Sequence, residues 1–151
     1  MMFMKYLKTY EQVNSSEDLI NAAKNDNLKR VKELIKAGAN LDLQDVDGNT
    51  ALIWSSYNNN IEITKELIKA GANLDLQDDE GDTELIWTSI NFNKKIIKEL
   101  IKAGADCNIK NDNNKDFLNY LGEEEKDEFI EECPNEYKDY LMKKDAEKYN
   151  L

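Results

Sequence analysis

Histidine is absent from this chain, proline and arginine each occur once, and cysteine occurs only twice. Each shortage closes off a class of chemistry. Without histidine there is no Ser–His or Cys–His nucleophile pair and no imidazole-bound zinc. Two cysteines, Cys107 and Cys133, are too few for the disulfide framework of a small secreted domain, so both are read as reduced thiols of a cytosolic protein. One proline and six glycines exclude collagen-like and Pro/Gly low-complexity chains. Long hydrophobic runs are missing too. Lys5 and Lys8 interrupt residues 1–10, which leaves no apolar core for a secretory signal. No stretch approaches the ~20 apolar residues of a membrane span.

What the chain has in excess is acid. Asp and Glu number 31 against 20 Lys and Arg, a net charge of −11. Such a chain is a poor ligand for nucleic-acid phosphates or an anionic membrane, so neither is expected as a partner. The charge is uneven. Residues 111–151 hold 13 acids and 6 lysines, a net of −7, which leaves −4 for the first 110 residues. A chain of 151 residues suits a single domain, and a domain of that size buries roughly 70% of its unfolded surface.

The organisation comes from internal repetition. The segment KELIKAGANLDLQD fills residues 32–45 and recurs letter for letter over 65–78. KELIKAGADCNIKN, over 98–111, keeps the first eight letters. Leu34, Leu67 and Leu100 are 33 apart, as are Gly38, Gly71 and Gly104. Leu28, Val31, Leu34 and Ile35 fall on one face of a helix, and Ile61, Thr64, Leu67 and Ile68 repeat that face. The Gly that follows closes the helix in a left-handed conformation that costs other residues more. Leu41 and Leu43, like Leu74 and Leu76, alternate with polar residues and predict a short extended stretch. Asp45-Val-Asp-Gly48 and Asp78-Asp-Glu-Gly81 read as turns. Thr50 and Thr83 then open a second, shorter helix, TALIWSSY or TELIWTSI. A unit of one turn and two antiparallel helices cannot bury its apolar face alone, so stacking supplies the core.

The 33-residue period, D-x-x-G-x-T before the first helix and L-I-K-A-G-A after the second resemble the ankyrin repeat family. The resemblance covers residues 15–111 in three copies and extends weakly over 112–132. It implies an all-α solenoid of stacked helix-turn-helix units with short β-turn fingers and a C-terminal capping helix. The domain layout is then an N-terminal segment 1–14, repeats over 15–44, 45–77 and 78–110, a degenerate unit 111–132, and a helical extension 133–151. Within the end regions, Ser15-Ser16-Glu-Asp reads as a helix N-cap, 116–121 as a short first helix, 123–132 as the second, and 136–149 as a last helix.

Two departures stand out. Where the family starts its first helix with Thr-Pro-Leu-His, this chain has Thr50-Ala-Leu-Ile53 and Thr83-Glu-Leu-Ile86. Loss of the His hydrogen bond predicts looser turns, offset by extra apolar area. The family's Gly between helices is Asp26, Asn59 and Phe92. Asp and Asn tolerate the left-handed region; Phe92 does not do so readily, which predicts a rebuilt loop there.

Several patterns imitate chemistry. Asp45, Asp47, Asn49 and Asp78, Glu80, Asp82 alternate like a calcium loop, but such a loop needs Gly sixth and Glu twelfth. Here Gly48 and Gly81 are fourth, and Ser56 and Ser89 twelfth, so these acids are turn formers. Glu123, Glu124 and Glu125 suit the first turn of a helix better than acid–base catalysis. Cys107 reads as a small buried hydrophobe. Trp54 and Trp87, one repeat apart, read as core packing between repeats. No enzyme activity, cofactor or metal is expected.

The resemblance implies that partners dock on the turn tips and the exposed face of the first helices. The matching positions are Val46, Asp47, Asn49, Tyr57 and Asn58 in one repeat and Asp79, Glu80, Asp82, Ile90 and Asn91 in the next. Tyr57 and Ile90 are the expected apolar anchors within an acidic row. The expected function is non-catalytic protein binding, as adaptor or inhibitor, to another protein of basic or mixed surface. The alternative is an acidic mimic or immunity-type protein that sequesters a basic nuclease or toxin. A monomeric, cytoplasmic protein is expected, in a host-cell cytosol if it is a bacterial effector or viral product.

Overall fold

The computed structural model describes residues 15–133 together with Lys138 and Met142. The segment 1–14 and the helix expected over 136–149 lie outside the described residues, those two positions apart. Among residues 15–133 the α-helices are, in order, α1 over 15–24, α2 Leu28–Lys36, α3 Ala51–Tyr57, α4 Ile61–Ala70, α5 Glu84–Ile90, α6 Lys94–Ala103 and α7 Glu123–Glu132. A single 3-10 turn, Phe117–Tyr120, stands before α7. Among the described residues there is no β-strand. One isolated bridge pairs Gln77 with Thr83, and Leu41, expected to be extended, lies in a turn. No described helix is long and apolar enough to cross a membrane.

The helix ends are written at the repeat spacing. Thr50 and Thr83 cap α3 and α5 by accepting from the backbone N–H of Ile53 and Ile86. Asn27, Asn60 and Asn93 do the same for α2, α4 and α6, accepting from Arg30, Ile63 and Ile96. Those asparagine caps carry no flag in composition, yet each satisfies an otherwise orphaned donor. At the other end, Gly71 and Gly104 close α4 and α6 with φ of 89° and 94°. The described part of the first helix begins at Ser15. Ser16 is buried, and its Oγ accepts from Asn40 N–H at 2.8 Å.

Phe92 corrects the expectation of a rebuilt loop. Its φ of 54° matches Asp26 at 55° and Asn59 at 56°. The turn bonds match as well: Phe92 N–H reaches Ser89 O and Asn93 N–H reaches Thr88 O, as Asn59 reaches Ser56 and Asn60 reaches Ser55. The repeat frame therefore imposes a left-handed residue on an aromatic side chain, at a cost of about 1–2 kcal/mol.

The core runs through the stack in two clusters. One gathers Leu19, Ala23, Val31, Leu34, Leu52, Ile63 and Leu67; the other gathers Leu85, Ile86, Ile96, Ile97, Leu100, Phe117 and Phe129. Ile68 and Leu74 pack against both, which makes the apolar interior continuous from α1 to α7. Ile53 and Ile86, at the family's histidine position, are fully inside. The terminal unit is thinner. Its first helix shrinks to the 3-10 turn, opened by Asp116, whose N–H donates to Asn119 Oδ1.

Candidate functional site

The fingers between α2 and α3, α4 and α5, and α6 and the 3-10 turn are built on one side chain each. Asp45 Oδ1 accepts from Asp47 N–H and Asn49 N–H, which closes the turn, and Oδ2 accepts from Trp54 Nε1 at 2.8 Å. Asp78 does the same with Glu80, Asp82 and Trp87, the last at 2.6 Å. In the third finger Asn111 Oδ1 accepts from Asn113 and Lys115, while its Nδ2 donates to Tyr120 Oη at 2.7 Å. The exchange is chemically coherent. A carboxylate receives the donor-only indole N–H, and an amide supplies the donor that a phenol oxygen accepts.

Fingers are also tied to one another. Asp79 N–H donates to Asp47 O and Asp112 N–H to Glu80 O. Gln44 Nε2 donates to Gly48 O and Gln77 O, and Gln77 Nε2 repeats this with Gly81 O and Lys110 O. The approach is close enough that a Cβ on Gly48 would lie 2.7 Å from Asp79 N. The turns are therefore not loosened by the missing histidine: the Asp–Trp bond and the Gln ladder take its place. Because Asp45 and Asp78 already accept three donors apiece, their carboxylates are occupied as turn formers.

The Asp–Trp bonds fix a file of rings. Trp54 and Tyr57 meet edge to face with centroids 5.5 Å apart, and Tyr57 meets Trp87 likewise at 5.9 Å. Lys24 Nζ lies 4.0 Å over the Trp54 ring, and Lys115 Nζ 5.3 Å over Tyr120. Both tryptophans are half-buried: Trp54 packs against the first core cluster, as expected, and the outer parts of both rings join a pinned file. The signal was present in the sequence as an acid and a tryptophan nine residues apart, Asp45 with Trp54 and again 33 residues on as Asp78 with Trp87, and as Asn111 with Tyr120 at the next step.

The expected partner residues separate into two groups. Val46 at 93% exposure, Asp47, Asp79 and Glu80 are exposed at the tips, and Tyr57 is 54% exposed. Asn49 is half-buried. Asp82 is corrected: it is 4% exposed and accepts from Asn111 Nδ2 at 2.6 Å, so it binds the next finger rather than facing solvent. Burial first, then the nearby Asp78, Glu80 and Asp112 charges, push its carboxyl above the usual range, against the opposing Asn111 bond. Ile90 is half-buried against the second core cluster, which removes it as a free anchor. Asn58 Nδ2 is spent on the carbonyls of Ala23 and Lys24, holding the end of α1. Asn91 Nδ2 is buried with no hydrogen-bond partner. Phe92, 66% exposed in the α5–α6 loop, is a large surface residue that sequence reasoning treated only as a loop problem.

A model of ankyrin repeats matches three copies over residues 19–111. The chain belongs to the ankyrin repeat family. A search of curated proteins finds no match. Ankyrin repeats generally serve as protein–protein interaction modules, and the family is typically non-catalytic. The fold is the all-α solenoid that the repeats imply.

Two charged arrangements behind this ankyrin face matter for its energetics. Glu84, at the first position of α5, is fully buried; Ser56 Oγ donates to its Oε1, while Oε2 has no partner. Burial pushes its carboxyl well above the usual glutamate range. One repeat earlier the same place holds Ala51. On the opposite helices, lysine of one copy reaches glutamate of the next: Lys32–Glu66 at 3.2 Å, Lys65–Glu99 at 3.9 Å and Lys98–Glu132 at 3.5 Å. The row ends in a denser group, where Lys94 meets Glu125 and Glu128 and Lys98 meets Glu128 at 2.6 Å.

Proposed function

We propose that the chain is a non-catalytic adaptor or inhibitor that binds a partner protein through the concave face formed by its fingers and first helices, as a monomer in the cytoplasm. The observation that carries this reading is the Trp54–Tyr57–Trp87 file, pinned from below by Asp45 and Asp78 and bordered by the exposed Asp47, Asp79 and Glu80. Rigid amphipathic rings give large contact area at low entropic cost, and such residues dominate interface energetics. The carboxylates around them suit a basic or mixed partner surface and act mainly on association rate. Tyr57 is the central anchor.

The acidic-mimic reading depends on charge at the C-terminal end. There Glu125, Glu128 and Glu132 face Lys94 and Lys98 of the same molecule, which supports the adaptor over the mimic. The two are separated by capture from native host lysate. Tyr57→Ala is expected to lower recovery of the partner more than about tenfold with the helical circular dichroism intact, whereas Glu123, Glu124 and Glu125 changed together to Gln lower it less than about threefold. A partner insensitive to Tyr57→Ala but lost with the triple change and with added salt reassigns the protein as a mimic.

A further inference from the structure

The two cysteines of the chain meet. Cys107 lies in the turn after α6 and Cys133 closes α7, 26 residues later, and their sulfurs are 2.9 Å apart. Both side chains are buried and both are free thiols. Cys133 S–H donates to Cys107 Sγ, and Cys107 S–H points at the Ala105 carbonyl at 3.9 Å.

Their places in the repeat explain the encounter. Cys107 stands 33 residues after Leu74, which itself stands 33 after Leu41; Cys133 stands 33 after Leu100, in the series Leu34, Leu67, Leu100. In the earlier interfaces Leu41 packs on the cluster holding Leu67, and Leu74 on the cluster holding Leu100. At the last interface the leucine on each side is a cysteine.

We propose that Cys107 and Cys133 are a thiol modification site, oxidised to an intrachain disulfide that locks α7 onto the third repeat when the chain meets a low-molecular-weight disulfide such as glutathione disulfide. The electrons balance in two exchanges. One cysteine thiolate attacks a sulfur of the small disulfide, forms a mixed disulfide and expels one small thiolate. The second cysteine, as thiolate, attacks the protein sulfur of that mixed disulfide and expels the other. Two protein thiols have then lost two electrons, the small disulfide has become two thiols, and the two thiol protons have passed to them. Because a disulfide spans about 2.05 Å between sulfurs, closure asks only for a small rotation at the end of α7.

Reaction passes through the open state of α7. The Cys133 hydrogen bond, then burial, push the Cys107 thiol far up, and both sulfurs are buried against each other, out of reach of an oxidant while α7 is docked. Among the described residues α7 is held by Phe129, by the half-buried Ile130 and by lysine–glutamate pairs, and a helix with so few buried apolar contacts opens readily. A cross-link formed during opening shuts it.

The full chain is incubated with glutathione disulfide and digested without reductant. A linked Cys107–Cys133 peptide pair is expected, with loss of both free thiols together and about tenfold slower amide exchange across α7, reversed by dithiothreitol. Cys107→Leu and Cys133→Leu place at each position the leucine of the other repeats, and in each the oxidant is expected to leave at most a glutathione adduct on the remaining cysteine and never to slow α7 exchange. Glutathione adducts or intermolecular dimers in place of the linked pair overturn the proposal. So does a linked pair that leaves α7 exchange as it was.

Discussion

The central repeats and the terminal unit solve the same packing problem with different materials. In the centre, α3, α4, α5 and α6 close on side chains such as Leu52, Ile63, Leu67, Leu85, Ile96 and Leu100, all essentially without exposure. At the end, α7 brings in one fully buried large side chain, Phe129, and answers Lys94 and Lys98 with a row of glutamates. Apolar burial is worth roughly 25 cal/mol per Å² and is not screened by salt as charges are. Exposed ion pairs are screened and contribute little singly. Among the described residues, an inner repeat is fastened on both sides, while contacts of the last unit are described on the side of the third repeat. The difference teaches that the interfaces of one repeat stack need not be made alike, and since stability sums repeat and neighbour contributions, the α7 interface is expected to respond to salt and pH where the centre does not.

The largest expected effect lies in the centre. Leu67 is fully buried in α4 and belongs to the interface between the first two repeats. Leu67→Ala is expected to cost about 2–5 kcal/mol, read as a lower melting temperature of the whole domain. If only part of the stack loses protection in amide exchange while the rest melts as before, the centre is not one cooperative block and the contrast with α7 fails.

Much of this was legible because the repeat states its register three times. Gly71 and Gly104 in the left-handed region, and the Thr50 and Thr83 caps, follow from residue types with few alternatives. Burial at a given position was harder to read. Asp82 and Ile90 sit at sequence positions matching exposed residues of the family, but this chain spends Asp82 on Asn111 and Ile90 on the core. Such pairings depend on what the next repeat carries 29 residues later, and no local pattern reveals it. The cysteine pair was hidden for the same reason: both were read as reduced thiols with no contact between them, and only the repeat register brings Cys107 and Cys133 together.

The middle effect concerns Glu84, a buried carboxyl with an unpartnered oxygen. Glu84 has a folded-state pKa raised by burial above its value of about 4.5 in the open chain. The protonated form is thus favoured by folding. Its contribution is fully present below that unfolded value and is lost as pH rises from there to the raised folded value. Glu84→Gln keeps the shape and removes the titration. Thermal melts at acid and at mildly alkaline pH are expected to differ less in the variant than in the wild type. An unchanged difference would mean that Glu84 reaches water in the folded protein.

The smallest effect reverses the sign at the other end. Glu128 is held below the usual glutamate range, first by its hydrogen bond from Lys98 and then by the charges of Lys98 and Lys94. A depressed acid stabilises above its unfolded value, near 4.5, and that contribution is lost as pH falls through the lowered folded value. Acid should therefore favour the centre through Glu84 while loosening α7 through Glu128. Lys98 contributes in the opposite range, since its raised pKa carries stability that is lost only as pH climbs through the raised value. Glu128→Gln is expected to lower the protection of α7 amides near neutral pH, to remove most of its acid dependence, and to leave α3 to α6 untouched. Salt should act on the wild type as the substitution does, because the pairs are exposed and the Debye length shrinks from about 10 Å at 0.1 M to 3 Å at 1 M. Protection of α7 that survives both acid and salt would show that Phe129 alone holds the helix, and the terminal unit would then be a small copy of the centre rather than a different construction.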